Sequence, residues 1–163
     1  MSQGDRGKWA EGKVRDALKK RALQTRFAFL RLPDARAGSF TPTTSDFLVV
    51  SNGVPVFLEV KQIDHVFRLG VKSFDQGQRS RMRLFVEAGA LARVVVASSQ
   101  TKLCRLADLA WFESRMTESL SSWDLRSLPE RSFESVIGDV ECPLSYLTLR
   151  TELSLAAGAS KAK

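Results

Sequence analysis

The stretch Asp46-Phe-Leu-Val-Val-Ser-Asn52-Gly53-Val-Pro-Val-Phe-Leu-Glu59-Val-Lys61 decides the fold, because its geometry follows from residue types alone. Asn-Gly between two apolar runs is the strongest short-range signal for a two-residue type I′ hairpin turn. Asp46 and Glu59 are equidistant from that turn, so the hairpin sets them opposite each other. Counting outward from the hydrogen-bonded Ser51/Val54 pair, they occupy a non-hydrogen-bonded position, where Cα atoms approach to about 4.5 Å. Like charges directly opposite are destabilising, and a divalent cation removes the repulsion. Lys61 points to the same face as Glu59. The segment reads as a cation site with an ammonium beside it.

The strands are expected over Asp46–Ser51 and Val54–Lys61. Phe47, Val49, Val56 and Leu58 fall on one face and Leu48, Val50 and Phe57 on the other, which points to a buried central position in a sheet. A proline cannot donate to a ladder. Pro55 sits at a non-hydrogen-bonded position, so it breaks no bond to its partner strand.

Working outward, residues 5–22 read as a helix whose stripe is Ala10, Val14, Ala17 and Leu18, with Lys13, Lys19, Lys20 and Arg21 largely off it. Arg26–Leu32 reads as a short strand and residues 33–39 as loop. Gln62–Lys72 is expected to be loop. Phe74–Glu87 looks helical, with Met82, Phe85 and Val86 inward, Arg79, Arg81 and Arg83 towards solvent, and Gly89 as a cap. Arg93–Ala97 is a buried strand, Leu103–Leu106 a further candidate, and Ala107–Met116 a short helix. Beyond Thr117 the pattern weakens. The expected fold class is α/β: a core of α-β-β-β-α-β order, with a mixed central sheet flanked by helices. One domain over residues 1–155 is expected, its core at 5–112 and an acidic extension at 113–155, followed by a disordered tail at 156–163.

The chain has 163 residues, 44% of them hydrophobic and 26% charged, enough for a real core. No apolar run is long enough to span a bilayer, and the first residues lack the apolar stretch of a signal peptide, so no membrane association and a cytoplasmic location are expected. Cys104 and Cys142 are isolated and His65 is the single histidine. A zinc cluster or a histidine triad cannot be assembled from them, and reduced thiols are the default. The net charge of +7 is uneven. Residues 1–40 hold ten Lys/Arg against four Asp/Glu, and residues 61–105 nine against three, whereas 106–150 hold four against eight. A basic body around an acidic pair fits a polyanion brought to a metal, although a solvated basic surface explains the charge equally well.

The segment resembles the PD-(D/E)xK nuclease superfamily and, more narrowly, the RecU-type Holliday junction resolvases. The matching residues are Thr43-Thr44-Ser45-Asp46, Asn52-Gly53, Leu58-Glu59-Val60-Lys61 and Phe74-Asp75-Gln76-Gly77-Gln78, within a resemblance covering roughly residues 4–112. Ser45 stands where that family has proline or threonine. The Leu32–Ser45 connection is much shorter than the stalk such resolvases insert into a junction.

The resemblance implies a Mg²⁺- or Mn²⁺-dependent endodeoxyribonuclease that hydrolyses phosphodiester bonds in branched DNA. It would serve recombination and repair as a homodimer, in a bacterial cell or, for compact phage-encoded forms, an infected host. Asp46 and Glu59 would hold the ion through hard carboxylate oxygens, joined by the Val60 carbonyl. Lys61 would orient water or stabilise developing charge. Gln78 would bond the lysine or water, or is an ordinary surface amide. Glu11 would serve a second metal or position Lys61, or simply pairs with Arg15 at i+4. Lys72, Arg79, Arg83 and Arg36 are candidate phosphate contacts, which position a duplex without reading its sequence. His65 is expected to be a solvated loop residue, and Trp9, Trp111 and Trp123 packing residues. Two other readings stay open: a superfamily nuclease acting on flaps, single strands or duplex, and a non-catalytic DNA-binding module.

Overall fold

The hairpin forms as the Asn-Gly pair requires, with both turn residues in the left-handed region (Asn52 φ 51°, Gly53 φ 80°). The computed structural model describes residues 8–33 and 45–140. Strands β2 (Phe47–Ser51) and β3 (Val54–Ile63) pair antiparallel from Ser51↔Val54 to Phe47↔Leu58, the register expected from the turn. Pro55 faces Val50 at its non-bonded position.

The remaining elements build on this ribbon. Helix α1 (Lys8–Gln24) buries Ala10, Val14, Ala17 and Leu18, the apolar stripe of its sequence. Strand β1 (Phe27–Arg31) pairs antiparallel with β2, and the Leu32 amide continues that ladder to the Asp46 carbonyl at 2.9 Å. Helix α2 (Gln76–Glu87) crosses over from β3 to β5 (Leu91–Ser98), which runs parallel to β3. Strand β6 (Cys104–Asp108) closes the sheet antiparallel to β5, giving the order β1-β2-β3-β5-β6. Helices α3 (Leu109–Glu113) and α4 (Phe133–Gly138) complete the helical elements.

Each face of the sheet carries its own core. On one, α1 and α4 pack on Phe47, Val49, Val56, Leu58, Val95 and Leu106. On the other, Met82, Phe74, Leu109, Phe112 and Trp123 pack on Ala92, Val94 and Val96. Cys104 is buried, and burial pushes its thiol up to about 12.

Several expectations are corrected. The expected loop at residues 62–72 is confined to 64–67: β3 runs on to Ile63, and Arg68–Gly70 forms strand β4, followed by a 3₁₀ turn at Val71–Ser73. The chain beyond Thr117 holds strand β7 (Ser122–Asp124), which pairs with β4, as well as α4. Its pattern was faint because a three-residue strand carries no readable period. On α2 only Met82 of the three expected inward residues is buried; Phe85 and Val86 are exposed, and Arg79, expected in solvent, is buried. The hairpin is not buried on both sides either. Val50 is 39% exposed on the sheet face opposite α1, as is Leu30 of the neighbouring β1 at 60%. The expected tail at 156–163, Cys142 and Arg36 lie outside the described residues.

Gly89 (φ 94°) ends α2 with the paired bonds of a Schellman motif, Ala90 N–H to the Phe85 carbonyl at 2.9 Å and Gly89 N–H to the Val86 carbonyl at 3.0 Å. Gly53 is the more critical glycine, because the hairpin register depends on it. Gly53→Ala forces an L side chain into the left-handed region, which costs about 1–2 kcal/mol. Urea unfolding should show a loss of that size.

Candidate active site

The site forms where the β2–β3 ladder stops. By the alternation of an antiparallel pair, the Val60 amide points towards β2 one step beyond Phe47↔Leu58. No ladder pairing is left there to receive it. The Asp46 side chain turns in and accepts this amide on Oδ2 at 2.7 Å. Asp46 thus lies outside the β2–β3 ladder in which the sequence placed it, and its carboxylate closes the end of the ribbon. The Ser45 hydroxyl, buried next to it, donates to the Phe47 carbonyl at 3.2 Å.

Glu59 is 3% exposed, and its Oε1 lies 2.7 Å from the Lys61 ammonium. Lys61 also donates to the Gln78 side-chain carbonyl at 3.0 Å. Gln78 is held in turn by Asp75, which caps α2 and accepts the Gln78 amide at 2.8 Å. Asp75-Gln76-Gly77-Gln78 has the Asp-x-x-Gln spacing of a capping box, a local signal that starts α2 at Gln76, two residues after the expected Phe74. The Phe74 ring lies beneath the lysine, with Nζ 5.7 Å from its centroid.

The electrostatics are those of two acids held out of water. Burial, followed by the Glu59 charge, pushes Asp46 up to about 8 against an ordinary 3.8, and the Val60 amide offsets only part of this. Burial raises Glu59 as well, while Lys61 and then Gln78 pull it down. Glu11 adds to the negative field at both carboxylates. Its own partner is Arg31 on β1 at 2.9 Å, a neighbour that helical spacing could not reveal.

An ion can be tested against this donor set. Glu59 Oε2 is buried with no hydrogen-bond partner, and two mutually repelling carboxylates lie together, so a divalent cation fits the charge. Oxygen donors suit a hard cation. Among the described residues no group of three or more His, Cys, Asp or Glu could hold a metal ion. The donors therefore come down to Asp46, Glu59 and backbone or water oxygen.

The basic candidates divide. Lys72 is exposed in the 3₁₀ turn. Arg83 is exposed, but its guanidinium is engaged by Glu113, with Nε at 3.0 Å. Arg79 is 7% exposed and donates to the Phe74 carbonyl, so it is no open surface cation. His65 is exposed in the bend after β3. Sequence reasoning missed the contribution of Phe112 and Trp123, which pack edge to face and brace Phe74 from a distant part of the chain. No local motif marks them.

No protein-family model matches the chain, and no curated protein matches it in sequence. Among solved structures it is similar to Hjc, a Holliday junction resolvase from the archaeal hyperthermophile Archaeoglobus fulgidus. The TM-score is 0.53 at 19% identity, covering 78% of this chain and 97% of that one. A bacterial homing endonuclease aligns with a TM-score of 0.46 at 14% identity, covering 77% and 78%. The first likeness shows the fold: a five-stranded mixed sheet flanked by helices, shared with a DNA resolvase.

The buried acids carry a pH signature. An acid whose folded value is raised contributes stability that is fully present below its unfolded value, near 3.8, and lost as pH rises through about 8. In chelator-treated protein the unfolding midpoint should therefore fall over that window. Asp46→Asn, which keeps an acceptor for the Val60 amide, should flatten the fall and raise the midpoint at pH 8. Added Mn²⁺ should lift the wild-type midpoint at pH 8 and leave that of the variant unchanged. Thermal melts in buffers across the window check all three.

Proposed function

We propose that the chain is a divalent-metal-dependent endodeoxyribonuclease of the PD-(D/E)xK type, cutting branched DNA as Holliday junction resolvases do. The observation that carries this reading is the cluster at the end of β3. Buried Glu59, with an orphaned oxygen, and half-buried Asp46 lie beside an ammonium that is itself fixed by Gln78. Its support is twofold: the sequence pattern resembles RecU-type resolvases, and the fold is similar to that of an archaeal resolvase.

Asp46 and Glu59 would hold Mg²⁺ or Mn²⁺, with the Val60 carbonyl as a further oxygen. Such an ion supplies charge neutralisation at the phosphoryl group and a more acidic water. Lys61 is placed to orient the attacking water and to stabilise charge on the phosphoryl oxygens. Its contact with Glu59 fixes its direction, which suits an orienting donor. Gln78 limits the directions the ammonium can take. Glu11, engaged by Arg31, shapes the field of the site from its rim.

DNA would be held by Lys72, exposed beside α2, by Arg83 where Glu113 releases it, and by Arg36, which lies outside the described residues. Arg79 leaves this set because it is buried. Symmetric cutting of two strands requires two sites, hence a homodimer.

Purified protein with Mg²⁺ should nick a four-way junction in preference to flaps, single strands and duplex. Glu59→Ala and Lys61→Ala should each lower cutting by about 100-fold or more, with junction binding retained in a gel-shift assay. Equal loss of binding in both variants would remove the assigned roles. Equal cutting of all substrates would leave a general nuclease instead.

A further inference from the structure

Phe74 is where the candidate lysine meets the C-terminal part of the described chain. Its ring is fully buried, with the Lys61 ammonium 5.7 Å from the centroid. Phe112 of α3 stands edge to face against it at 5.2 Å, and Trp123 of β7 lies at 6.2 Å. Those two rings meet each other edge to face at 5.1 Å, and the Trp123 indole N–H donates to the Phe112 carbonyl at 3.1 Å. The three form a closed aromatic box. Arg79 lies over two of them, its guanidinium carbon 5.9 Å from the Phe74 centroid and 5.5 Å from that of Trp123. The same guanidinium donates to the Phe74 carbonyl.

Arg79 is unusual in its company. It is nine-tenths buried, and no carboxylate lies within ion-pair distance of it among the described residues. A buried cation without an acid is costly unless other groups receive it. Here two ring faces and a carbonyl do so. That carbonyl belongs to the residue under Lys61, so Arg79 fixes both the ring and the backbone of Phe74.

We propose that Arg79 is a positioning residue for Lys61. Together with Trp123 it locks the Phe74 ring, and the locked ring with Gln78 leaves the ammonium one place to stand. The lysine has three rotatable donors on a flexible stem. Gln78 and Glu59 hold it from two sides, and the ring closes a third. This gives the acidic C-terminal part a task in the site without its touching substrate. The inference rests on the nuclease reading for its consequence in rate, though not for its structural content.

The test uses Arg79→Met, which keeps a long stem but removes the charge and the donor, alongside Phe74→Leu, which removes the ring. Two quantities are measured on the full chain: single-turnover cleavage of a four-way junction at saturating protein, and the NMR signals of the Lys61 ε-methylene protons, which are inequivalent in a fixed side chain. Both variants should cut about tenfold more slowly with junction affinity unchanged, and the two ε signals should merge. Arg79→Lys should recover part of the rate. Unchanged ε signals with a lower unfolding midpoint would make Arg79 a purely structural residue and overturn the proposal. So would weakened DNA binding with the saturating rate intact, which would return Arg79 to the phosphate contacts. If wild-type protein cuts no DNA under any divalent cation, the nuclease reading fails, while the ε-proton comparison still decides whether Arg79 positions Lys61.

Discussion

Two carboxylates are kept in a place where water cannot solvate them well, and the surrounding structure is arranged to hold them there. The unfolded chain would ionise both near pH 4. Folding instead buries Glu59 almost completely and brings Asp46 beside it, so that each makes ionisation harder for the other. Among the described residues the Val60 amide, the Lys61 ammonium and the Gln78 side chain reduce the cost. A fold that selected only for stability would replace such a pair with apolar residues of similar volume, which is often neutral or stabilising. Retaining it, with one carboxylate oxygen left unbonded, makes sense if the site is completed by a cation.

The ribbon supplies this arrangement cheaply because one turn sets every register position after it. Asn52 and Gly53 hold positive φ, Ser51 faces Val54, and the pairing runs without a bulge to Phe47 and Leu58. A slip of one residue would move Glu59 and Lys61 to the face covered by α1 and bring Leu58 to the site. The parallel neighbour β5 then buries β3 from its other edge, and the crossover helix α2 arrives with its capped first turn at the end of β3. Gln78 reaches Lys61 because Asp75 fixes where that turn begins.

What could be read in the sequence is local, and what could not is remote. The turn, the α1 stripe and the β2–β3 register each follow from a few neighbouring residues, and all are present. The errors have a common cause. Helical periodicity marks Phe85 and Val86 as inward-facing apolar residues, but it cannot say how far the underlying sheet extends, and both are exposed. Arginine is charged, so Arg79 reads as a surface residue, yet guanidinium is weakly hydrated and stacks on rings. No pattern on α2 could announce two aromatic partners supplied elsewhere in the fold. Of the two readings of Glu11, the pairing with Arg15 along its own helix gives way to a partner from the edge strand, Arg31.

The same distinction separates fold from activity. A five-stranded mixed sheet with a crossover helix is a scaffold on which many sites can be built, and likeness at 19% identity speaks to that scaffold. The chemistry depends on side chains whose positions the scaffold only permits. Asp46 leaves its strand to cap Val60, Lys61 bridges Glu59 and Gln78, and Phe74 closes the space below. Of these, only the aromatic floor depends on residues beyond α2, in α3 and β7. Those elements are short and irregular, and neither strengthens the central sheet by pairing with it. Both pack against the ring that lies under Lys61, so the floor of the candidate site is built from α3 and β7 as well as from the sheet and α2.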